Sequence, residues 1–408
     1  MLVLSCTKPL CLPKEIDAVE VRADYCFFSV ENMILTLRKK SHGGQFTGSE
    51  EERYDLLKGY LRHNPLYVDL EYDSSRTLIS LVGTERLILS YHNHQETPQD
   101  LETLFDRMRS TPAAFYKIAT FANSSLDTLR LLEFGKKHRN LTVIPMGEKG
   151  SFGRVLGKIF GNPLNYTFLE TPTAEGQVSY HDLINIYHYP DLNENTELFG
   201  LIGDPINQSI GHIYHNLCFK KQKRNAVYVK MQVTKEEVPS FLPLASCLGF
   251  KGLSITMPLK EVCLPNACIN TLHNQIGYNT DGRGALDAIE SHLSIFGKHI
   301  LILGTGGTAK AIDKEAKQRG ALCSFLSRSK ERCYTATSRA PDIIVSCAPY
   351  PPIVDLSSFP TSTWVMDCVY TPKVTPLLQK ALELGMRVIY GEEMFENQAH
   401  AQQELWSR

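Results

Sequence analysis

The sequence has 408 residues, with 43 basic and 44 acidic side chains and a formal net charge of −1 at pH 7. This balance excludes the strongly basic surface that is typical of nucleic-acid binding, and it gives no reason to expect an acidic membrane as a partner. With 43% hydrophobic residues, a chain of this length predicts two or three packed domains in a soluble globular protein.

The apolar segments and the cysteines indicate the cellular compartment of the protein. No apolar run approaches the length of a membrane span, and residues 1–7 lack the basic start and apolar centre of a secretory signal. The 11 cysteines are odd in number and lie mostly in apolar runs, so we expect buried free thiols. No cysteine pair or histidine cluster has metal spacing, and we predict no bound metal. The sequence therefore predicts a cytoplasmic protein.

Eight short β-rich runs, each closing on polar residues, occupy the first half of the chain. They are residues 2–7, 18–23, 34–38, 67–71, 87–92, 115–120, 141–146 and 165–170. Stretches of helical pattern, such as 98–110 and 124–137, separate several of them. This alternation predicts an α/β fold, a parallel (β/α)8 TIM-type barrel with its catalytic residues at the carboxyl ends of the strands. The first three runs are only about ten residues apart, so we expect a shortened barrel that is distorted or incomplete.

Polar side chains with useful chemistry lie at the ends of these runs or within them. They are Glu20, Arg22, Arg38, Glu71, His92 and Lys117. A lysine inside the run 115–119 would point into a barrel, where burial and neighbouring cations lower its pKa and make the amine a nucleophile toward a carbonyl. The alternative is a lysine that snorkels at a strand end.

The first half resembles type I 3-dehydroquinate dehydratase. The motifs that carry the resemblance are Glu20-Val-Arg22-Ala-Asp24, Thr36-Leu-Arg38 with Gly43-Gly44, Ser90-Tyr-His92-Asn, Lys117-Ile-Ala119, Met146-Gly147 with Arg154, and Gly176-Gln177. The resemblance implies that Lys117 forms a Schiff base with the substrate ketone, and that His92 removes the C2 proton and helps the C1 hydroxyl leave. The residues that it implies for substrate binding are Glu20, Arg22, Arg38, Arg154, Thr173 and Gln177. Two positions depart from the family: His42 replaces a usual glutamate, and Thr173 a common serine.

A linker ends the first half. Between Ile186 and Leu198 the apolar periodicity disappears and turn-forming residues accumulate, so we place a boundary near Asn195.

A glycine-rich segment in the second half predicts a dinucleotide site. The apolar run 299–303 leads into Gly304-Thr-Gly306-Gly307-Thr-Ala309, and a helical pattern follows. Gly304 would make the tight turn and Gly306 would let the backbone approach a pyrophosphate at the helix N-terminus. The predicted cofactor-binding residues of this segment are Gly304, Gly306, Gly307, Thr308 and Ala309.

The next β-rich run, 321–326, indicates which dinucleotide binds. It is followed by Ser327, Arg328, Ser329 and Arg332. A NAD site normally places an acidic residue here, whereas cations and hydroxyls suit a 2′-phosphate, so NADP(H) is favoured. The alternative is a solvated basic turn.

The entire second half resembles shikimate dehydrogenase. The resemblance rests on the segments 198–216, 252–261, 270–282, 367–378 and 391–406 together with the glycine-rich turn. Reducing a ketone to a secondary alcohol requires a hydride from the nicotinamide and a proton on the oxygen, and by the resemblance Lys260 and Asp281 hold and move that proton. The residues that it implies for substrate binding are Ser209, Gly211, Thr256, Asn270, Tyr370 and Gln398, and it adds Gly391 to the cofactor site.

Two departures concern the substrate. Gly211 stands where the family normally has a second serine, which opens space for a substrate with an extra hydroxyl, such as quinate. The stretch from Lys260 to Asn270 is about ten residues shorter than usual, so the helix that normally connects them should be largely missing.

We interpret the chain as a fusion of these two activities. The domains would be residues 1–194, the barrel; 195–282 with a C-terminal helix 387–408, the substrate-binding domain; and 283–386, a Rossmann NADP-binding domain. The partners would be the small molecules 3-dehydroquinate, 3-dehydroshikimate and shikimate, with no nucleic acid and no membrane, and the oligomeric state is left open. The alternative is a quinate/shikimate dehydrogenase whose degenerate barrel serves as a folding or binding module.

Overall fold

The computed structural model describes residues 1–326, 340–348 and 354–408. The chain divides into two compact units, residues 1–200 with 216–250, and residues 201–215 with 251–408. The expected boundary near Asn195 lies just before the strand that begins at Glu197. The expected domain 195–282 is divided, because residues 216–250 pack with the first unit; there the Ser125 hydroxyl donates a hydrogen bond to the Gln232 carbonyl at 2.6 Å.

Eight parallel strands form the sheet of the first unit. They are β1 Leu2–Cys6, β2 Ala18–Arg22, β3 Met33–Thr36, β4 Tyr67–Glu71, β5 Leu87–Asn93, β6 Phe115–Phe121, β7 Leu141–Met146 and β8 Asn165–Thr167. The helices are α1 Glu50–Tyr60, α2 Arg76–Val82, α3 Leu101–Arg109, α4 Ser125–Lys136, α5 Ser151–Leu156 and α6 Tyr180–Asn185. The strand order β7-β6-β5-β4-β3-β2-β1-β8 is that of a nearly closed barrel, which confirms the predicted fold class.

Side chains bridge the seam between β7 and β8, which stand at the two ends of the strand order. The Asn162 amide accepts a hydrogen bond from the Val143 N–H at 3.0 Å and donates one to the Val143 carbonyl at 2.9 Å. The Thr142 hydroxyl donates to the Leu164 carbonyl at 3.2 Å and accepts from its N–H at 3.1 Å. These bonds take the place of a backbone ladder. The N–H and carbonyl groups of Val143 and Leu164 at the seam therefore have hydrogen-bond partners, which such groups lack at the edge of an open sheet.

The first two crossovers are short, as the sequence predicts. Residues 7–17 and 23–32 connect β1 to β2 and β2 to β3 without a helix. Loop side chains cover the outer face of these strands instead, since Phe27 and its neighbours pack against a buried cluster that contains Val21 and Met33. Phe27 in turn stacks on Tyr60 of α1, with ring centroids 4.0 Å apart. The loops therefore supply the apolar cover that helices give elsewhere.

A five-stranded sheet follows the barrel. Its strands, in the order β10-β9-β11-β12-β13, are β9 Glu197–Gly203, β10 Ala226–Gln232, β11 Phe250–Ile255, β12 Thr271–His273 and β13 Ile276–Tyr278. The helices of this part are α7 Gly211–Lys221, α8 Val238–Cys247 and α9 Asp281–Glu290. Strands β11, β12 and β13 pair antiparallel.

A parallel sheet with the order β15-β14-β16-β17-β18 completes the second unit, as expected of a Rossmann-type domain. Its strands are β14 His299–Leu303, β15 Leu322–Leu326, β16 Ile343–Ser346, β17 Trp364–Asp367 and β18 Arg387–Ile389, and its helices are α10 Gly307–Gln318, α11 Pro376–Glu383 and α12 Gly391–Trp406. The expected helix 387–408 therefore begins at Gly391, because Ile389 is fully buried and pairs with Met366 of β17. None of the helices in the described ranges has both the length and the apolar character that crossing a bilayer requires.

Candidate active sites

A cavity at the carboxyl ends of the barrel strands collects residues from across the first half of the chain. Eight of the nine barrel residues that the sequence assigned to chemistry or substrate binding line it: Glu20, Arg22, Arg38, His92, Lys117, Arg154, Thr173 and Gln177. The ninth, Glu71, binds Arg53 and accepts a hydrogen bond from the Lys39 N–H at 3.1 Å. Side chains alternate along a strand, and in a barrel one set of them faces inward, which brings Glu20 of β2 and Lys117 of β6 to one cavity.

Lys117 lies deep in this cavity, with only 3% of its surface exposed. Its ammonium group is in direct contact with the Asp69 carboxylate, and it lies 3.7 Å from Glu20 Oε1. The ring of Tyr166 is on another side, with its centroid 4.8 Å from Nζ. Carboxylates and an aromatic face therefore hold the amine at a fixed position inside the barrel.

Asp69 also binds Arg38, and this links Lys117 to a second buried cation. The Arg38 guanidinium donates to Asp69 Oδ1 at 2.6 Å and to Ser90 Oγ at 2.9 Å. Burial by itself would raise the pKa of Asp69, but Arg38 and Lys117 outweigh it and lower that pKa to about 2. Asp69 is thus an anion at any ordinary pH. The Arg38 guanidinium is already bound to Asp69 and Ser90.

His92, near the end of β5, lines the same cavity. Burial lowers its pKa well below 6.5, and the positive charges of Arg38 and Lys117 act in the same direction. The imidazole is therefore neutral at neutral pH, and its buried Nδ1 has no hydrogen-bond partner among the described residues. A neutral histidine is the form that can accept a proton.

Arg154 is a buried cation that lacks a carboxylate partner within the part of the chain that the structure describes. Its Nε donates to the Pro145 carbonyl at 2.9 Å, and its buried Nη2 has no partner there. Burial lowers the pKa of Arg154 to about 9, so the group stays charged at neutral pH. A buried, unpaired guanidinium is the group that a substrate carboxylate would satisfy.

Other residues that line the cavity form hydrogen bonds with each other or with nearby carboxylates. The Gln177 side-chain oxygen accepts hydrogen bonds from the Thr173 N–H at 2.7 Å and from its hydroxyl at 3.3 Å. Arg22 pairs with Asp24 through two hydrogen bonds, at 3.0 and 2.8 Å. His42, the departure from the family pattern, lines the same cavity and lies 3.3 Å from an Asp73 carboxylate oxygen.

A second lysine–aspartate contact lies in the second unit. Lys260, in the turn after β11, directly contacts Asp281, the first residue of α9. The Thr308 hydroxyl donates to Asp281 Oδ2 at 2.9 Å and lies 3.3 Å from Lys260 Nζ. Burial raises the pKa of Asp281, but the charge of Lys260 and the hydrogen bonds outweigh that effect and lower it. The site therefore offers an ammonium group beside a carboxylate that stays ionised.

Asn270 reaches this pair although the chain before it is short. No helix lies between Val262 and Asn270, and the Ile269 N–H donates to the Lys260 carbonyl at 2.7 Å, which closes a compact loop. The Asn270 amide then donates to Asp281 Oδ1 at 2.7 Å and lies 3.4 Å from Gln398 Oε1. The missing helix was expected, and the loop keeps Asn270 at the site.

The other predicted substrate residues are placed by contacts of their own. The Ser209 hydroxyl accepts from the Gly211 N–H at 3.2 Å and hydrogen-bonds to Tyr370. The Thr256 N–H donates to the Ile202 carbonyl at 3.0 Å. Asp281 accepts hydrogen bonds from Asn270 and Thr308 in addition to the one from Lys260.

The glycine-rich turn has the form that a pyrophosphate requires. Gly304 has φ of +117°, a conformation that only glycine adopts without strain. A Cβ atom on Gly306 would meet no atom within 4 Å, so open space lies beside the backbone at the start of α10. This space at a helix N-terminus fits a dinucleotide phosphate.

Other predicted cofactor residues have a packing role. A Cβ on Gly307 would lie 2.5 Å from Cys268 Sγ, and one on Gly391 would lie 2.4 Å from the Val369 carbonyl oxygen. Ala309 is fully buried and packs α10 onto the sheet. The four residues expected at a 2′-phosphate lie outside the described ranges: Ser327, Arg328, Ser329 and Arg332.

Comparison with known proteins matches both halves. Residues 10–194 match the family model described as Type I 3-dehydroquinase, and residues 201–276 match the Shikimate dehydrogenase substrate binding domain. The chain is 33% identical to the Shikimate biosynthesis protein AroDE of Chlamydia pneumoniae, over 96% of this chain and 90% of that protein. It is 30% identical to the chloroplastic Bifunctional 3-dehydroquinate dehydratase/shikimate dehydrogenase of Arabidopsis thaliana, over 96% of this chain and 77% of that protein. A Shikimate dehydrogenase (NADP(+)) of Syntrophobacter fumaroxidans is 30% identical, over 52% of this chain and 87% of that protein.

Proposed function

The chain belongs to the family of bifunctional 3-dehydroquinate dehydratase/shikimate dehydrogenase proteins, and we propose that the two sites described above divide the two reactions between them. It is a shikimate-pathway enzyme that dehydrates 3-dehydroquinate to 3-dehydroshikimate and reduces that product to shikimate with NADPH. The observation that supports the division is that each unit contains its own lysine in contact with an aspartate, Lys117 in the barrel and Lys260 in the second unit.

In the barrel, we assign Lys117 as the nucleophile toward the substrate ketone. The ammonium group gives up a proton, and the free amine forms a carbon–nitrogen bond with the ketone carbon. The ketone oxygen leaves as water with the two protons that the nitrogen has lost, and the resulting iminium withdraws electrons from the adjacent carbon. His92, whose imidazole is neutral, takes the proton from C2 and gives it to the hydroxyl that leaves C1 as water. Hydrolysis of the iminium then releases the product and restores the amine. Asp69 keeps Lys117 in position between turnovers.

The substrate carboxylate is assigned to Arg154. Its guanidinium is buried, charged and without a carboxylate partner among the described residues, whereas Arg22 and Arg38 already bind Asp24 and Asp69. Gln177, held by Thr173, is assigned to the substrate hydroxyls.

In the second unit, Lys260 and Asp281 flank the reacting oxygen. The chemistry that NADPH supplies when bound is a hydride to the substrate carbonyl carbon. Lys260 gives the proton that the oxygen needs, and Asp281 stabilises the ammonium form, while Asn270 and Thr308 orient Asp281. The turn at Gly304 and Gly306 would hold the pyrophosphate.

Matched variants of the two lysines test this division. Lys117→Met should abolish the adduct that borohydride traps with 3-dehydroquinate, and should lower dehydratase kcat by at least about 100-fold, with dehydrogenase activity retained. Lys260→Met should lower shikimate oxidation by at least about 100-fold and leave the trapped adduct intact. Each variant is the folding control for the other. An adduct that survives in Lys117→Met, or normal shikimate oxidation in Lys260→Met, contradicts the assignment.

We also propose that the enzyme works in the cytoplasm. All ten cysteines within the described residues are free thiols, which is typical of a reducing compartment. Alkylation of the freshly isolated, denatured protein should label every cysteine; a disulfide between cysteines other than the neighbouring pair Cys347 and Cys368 would contradict the location.

A further inference from the structure

Two thiols face each other at the carboxyl edge of the Rossmann-type sheet. Cys347 follows β16 and Cys368 follows β17. Because Ser346 is opposite Asp367 in the parallel ladder, the next residues on the two strands, Cys347 and Cys368, also stand opposite each other. Their Sγ atoms are 3.9 Å apart, with the Cys368 thiol donating to Cys347. Both thiols are free and partly exposed.

The backbone at this pair allows a disulfide. Neighbouring strands lie about 4.8 Å apart, and disulfides join Cα atoms separated by about 4.4–6.8 Å. Cys347 and Cys368 also lie on the same face of the sheet, since both pack against one hydrophobic cluster. A bond would bring the two sulfur atoms from 3.9 Å to about 2.05 Å, which requires the side chains and the strand ends to shift toward each other.

The environment distinguishes the roles of the two thiols. The hydrogen bond to Cys347 raises the pKa of Cys368 well above its ordinary value, and burial and the carboxylates of Asp367 and Asp281 raise it further. The Cys368 thiol donates its hydrogen to the Cys347 sulfur, and we therefore take Cys347 as the thiol that reacts first. A reactive thiol beside a resolving thiol is the arrangement of redox-sensitive sites.

The pair is connected to groups that we assigned to binding. A Cβ atom on Gly304 would lie 3.8 Å from Cys347 Cβ, so Cys347 is next to the phosphate turn. After Cys368 comes Val369, whose carbonyl oxygen lies against Gly391, and then Tyr370, which hydrogen-bonds to Ser209. A shift of either strand end would therefore move the turn or the loop that carries Tyr370.

We propose that Cys347 and Cys368 form a redox-sensitive dithiol, which closes to a disulfide on reaction with a small-molecule disulfide and slows the dehydrogenase while leaving the dehydratase unchanged. The Cys347 sulfur attacks one sulfur of the small disulfide, which gives a mixed disulfide and releases one thiol. Cys368 then loses its proton and attacks the Cys347 sulfur, which expels the second thiol. Two protein thiols are oxidised, one small disulfide is reduced to two thiols, and excess reductant reverses the reaction.

The full chain, incubated with oxidised glutathione, tests this proposal, which rests on the proposed function only for its activity readout. Peptide mass spectrometry should find Cys347 joined to Cys368 with the loss of two hydrogen atoms. NADPH-dependent reduction should fall by at least about tenfold, since a displacement of about 1 Å can cost that much, and dithiothreitol should restore it. The dehydratase rate, measured in the same samples, should stay constant.

Serine variants separate this pair from other thiols. Cys347→Ser and Cys368→Ser, each compared with its own reduced rate, should lose the reversible inhibition. The matched control is Cys268→Ser, which removes a thiol that packs beside Gly307 of the same turn and should leave the inhibition in place. Absence of the cross-linked peptide, full dehydrogenase activity with the cross-link formed, or inhibition that persists in Cys347→Ser overturns the proposal. A reduced enzyme without dehydrogenase activity would count against the proposed function, while the peptide result would still decide whether the disulfide forms.

Discussion

The two lysine–aspartate contacts differ in how much solvent reaches them. The Lys117 side chain is 4% exposed and Asp69 is fully buried, whereas the Lys260 side chain is 21% exposed. A buried amine can form a covalent intermediate that water reaches slowly. An ammonium group nearer to solvent can replace the proton that it donates in each turnover. The exposure of each lysine therefore suits the reaction that we assign to it.

The lowered pKa of His92 predicts how the dehydratase depends on pH. A general base works only when it is unprotonated, and burial with the charges of Arg38 and Lys117 keeps His92 unprotonated below pH 6.5. We expect kcat/KM for 3-dehydroquinate to stay level as the pH falls through 6.5 and to decline only in more acidic solution. A pH–rate profile of the purified chain measures this.

Acid unfolding of the chain could also lower the dehydratase activity. The direction of the pKa shift of Asp69 distinguishes unfolding from protonation of His92. The pKa of Asp69 is lowered in the folded state, so its contribution to stability is present above the unfolded value of about 3.9 and is lost as the pH falls toward about 2. Circular dichroism at each pH should therefore show a folded chain throughout the decline in activity. A half-maximal rate at or above pH 6.5, in folded protein, would contradict the role of His92.

Arg154→Gln should weaken substrate binding more than it slows the chemistry. A charge-assisted hydrogen bond contributes about 1.5–3 kcal/mol, so KM for 3-dehydroquinate should rise by about 10- to 100-fold with little change in kcat. The fold should tolerate the change, because no carboxylate among the described residues depends on Arg154. Arg130→Gln, on the barrel helix α4, is the control. An unchanged KM in Arg154→Gln would show that the carboxylate binds elsewhere.

The sequence identified most of the charged residues of the barrel site but not their arrangement. Every barrel residue that the motifs assign to catalysis or substrate binding lines the cavity, because the family's motifs lie at strand ends that meet at one site. Asp69 was missed, although an acid two residues before Glu71 in an apolar run was a usable signal. Its partners, Lys117 and Arg38, are distant in sequence, so only the closed sheet shows the contact.

At the scale of secondary structure, the Asn162 side chain makes two of the four hydrogen bonds described above across the seam between β7 and β8. Asn162→Ala removes both hydrogen bonds to the Val143 backbone and leaves those groups without that partner. Each buried group left unsatisfied costs about 1–3 kcal/mol, so the free energy of unfolding should fall by roughly 2 kcal/mol or more. Urea denaturation measures the change. The exposed Asn140→Ala, in the loop before β7, should stay within about 0.5 kcal/mol, and equal effects of the two substitutions would contradict a special role for Asn162.

The elements themselves could largely be predicted, and the failures have a local cause. The eight β-rich runs correspond to β1–β8 because apolar runs and helical stretches alternate along the first half. Residues 387–389 were assigned to the C-terminal helix, because three residues are too few to show a strand pattern. Pairing with β17 and burial of Ile389 make them β18, and neither can be read from so short a segment.

At the scale of the whole molecule, the chain combines two consecutive reactions. The barrel produces the ketone that the second unit reduces, and the family member from Arabidopsis thaliana, which matches 96% of the chain, carries both activities in its name. The shortened crossovers and the missing helix before Asn270 leave both sites assembled, with loop side chains and a compact turn in place of the lost helices. Reduction in length has therefore removed supporting structure while keeping the residues that we assign to chemistry.

The most direct test of these two activities uses the purified chain with 3-dehydroquinate and NADPH as its only substrates. The dehydrogenase can act only on what the barrel makes, so we expect NADPH to be oxidised and shikimate to accumulate in equal amounts, as measured by absorbance and mass spectrometry. Quinate as the product would contradict the account, because it would mean direct reduction of 3-dehydroquinate in a site widened at Gly211. Absence of NADPH oxidation, when added 3-dehydroshikimate is reduced normally, would show a barrel that has kept its charged cavity and lost its reaction.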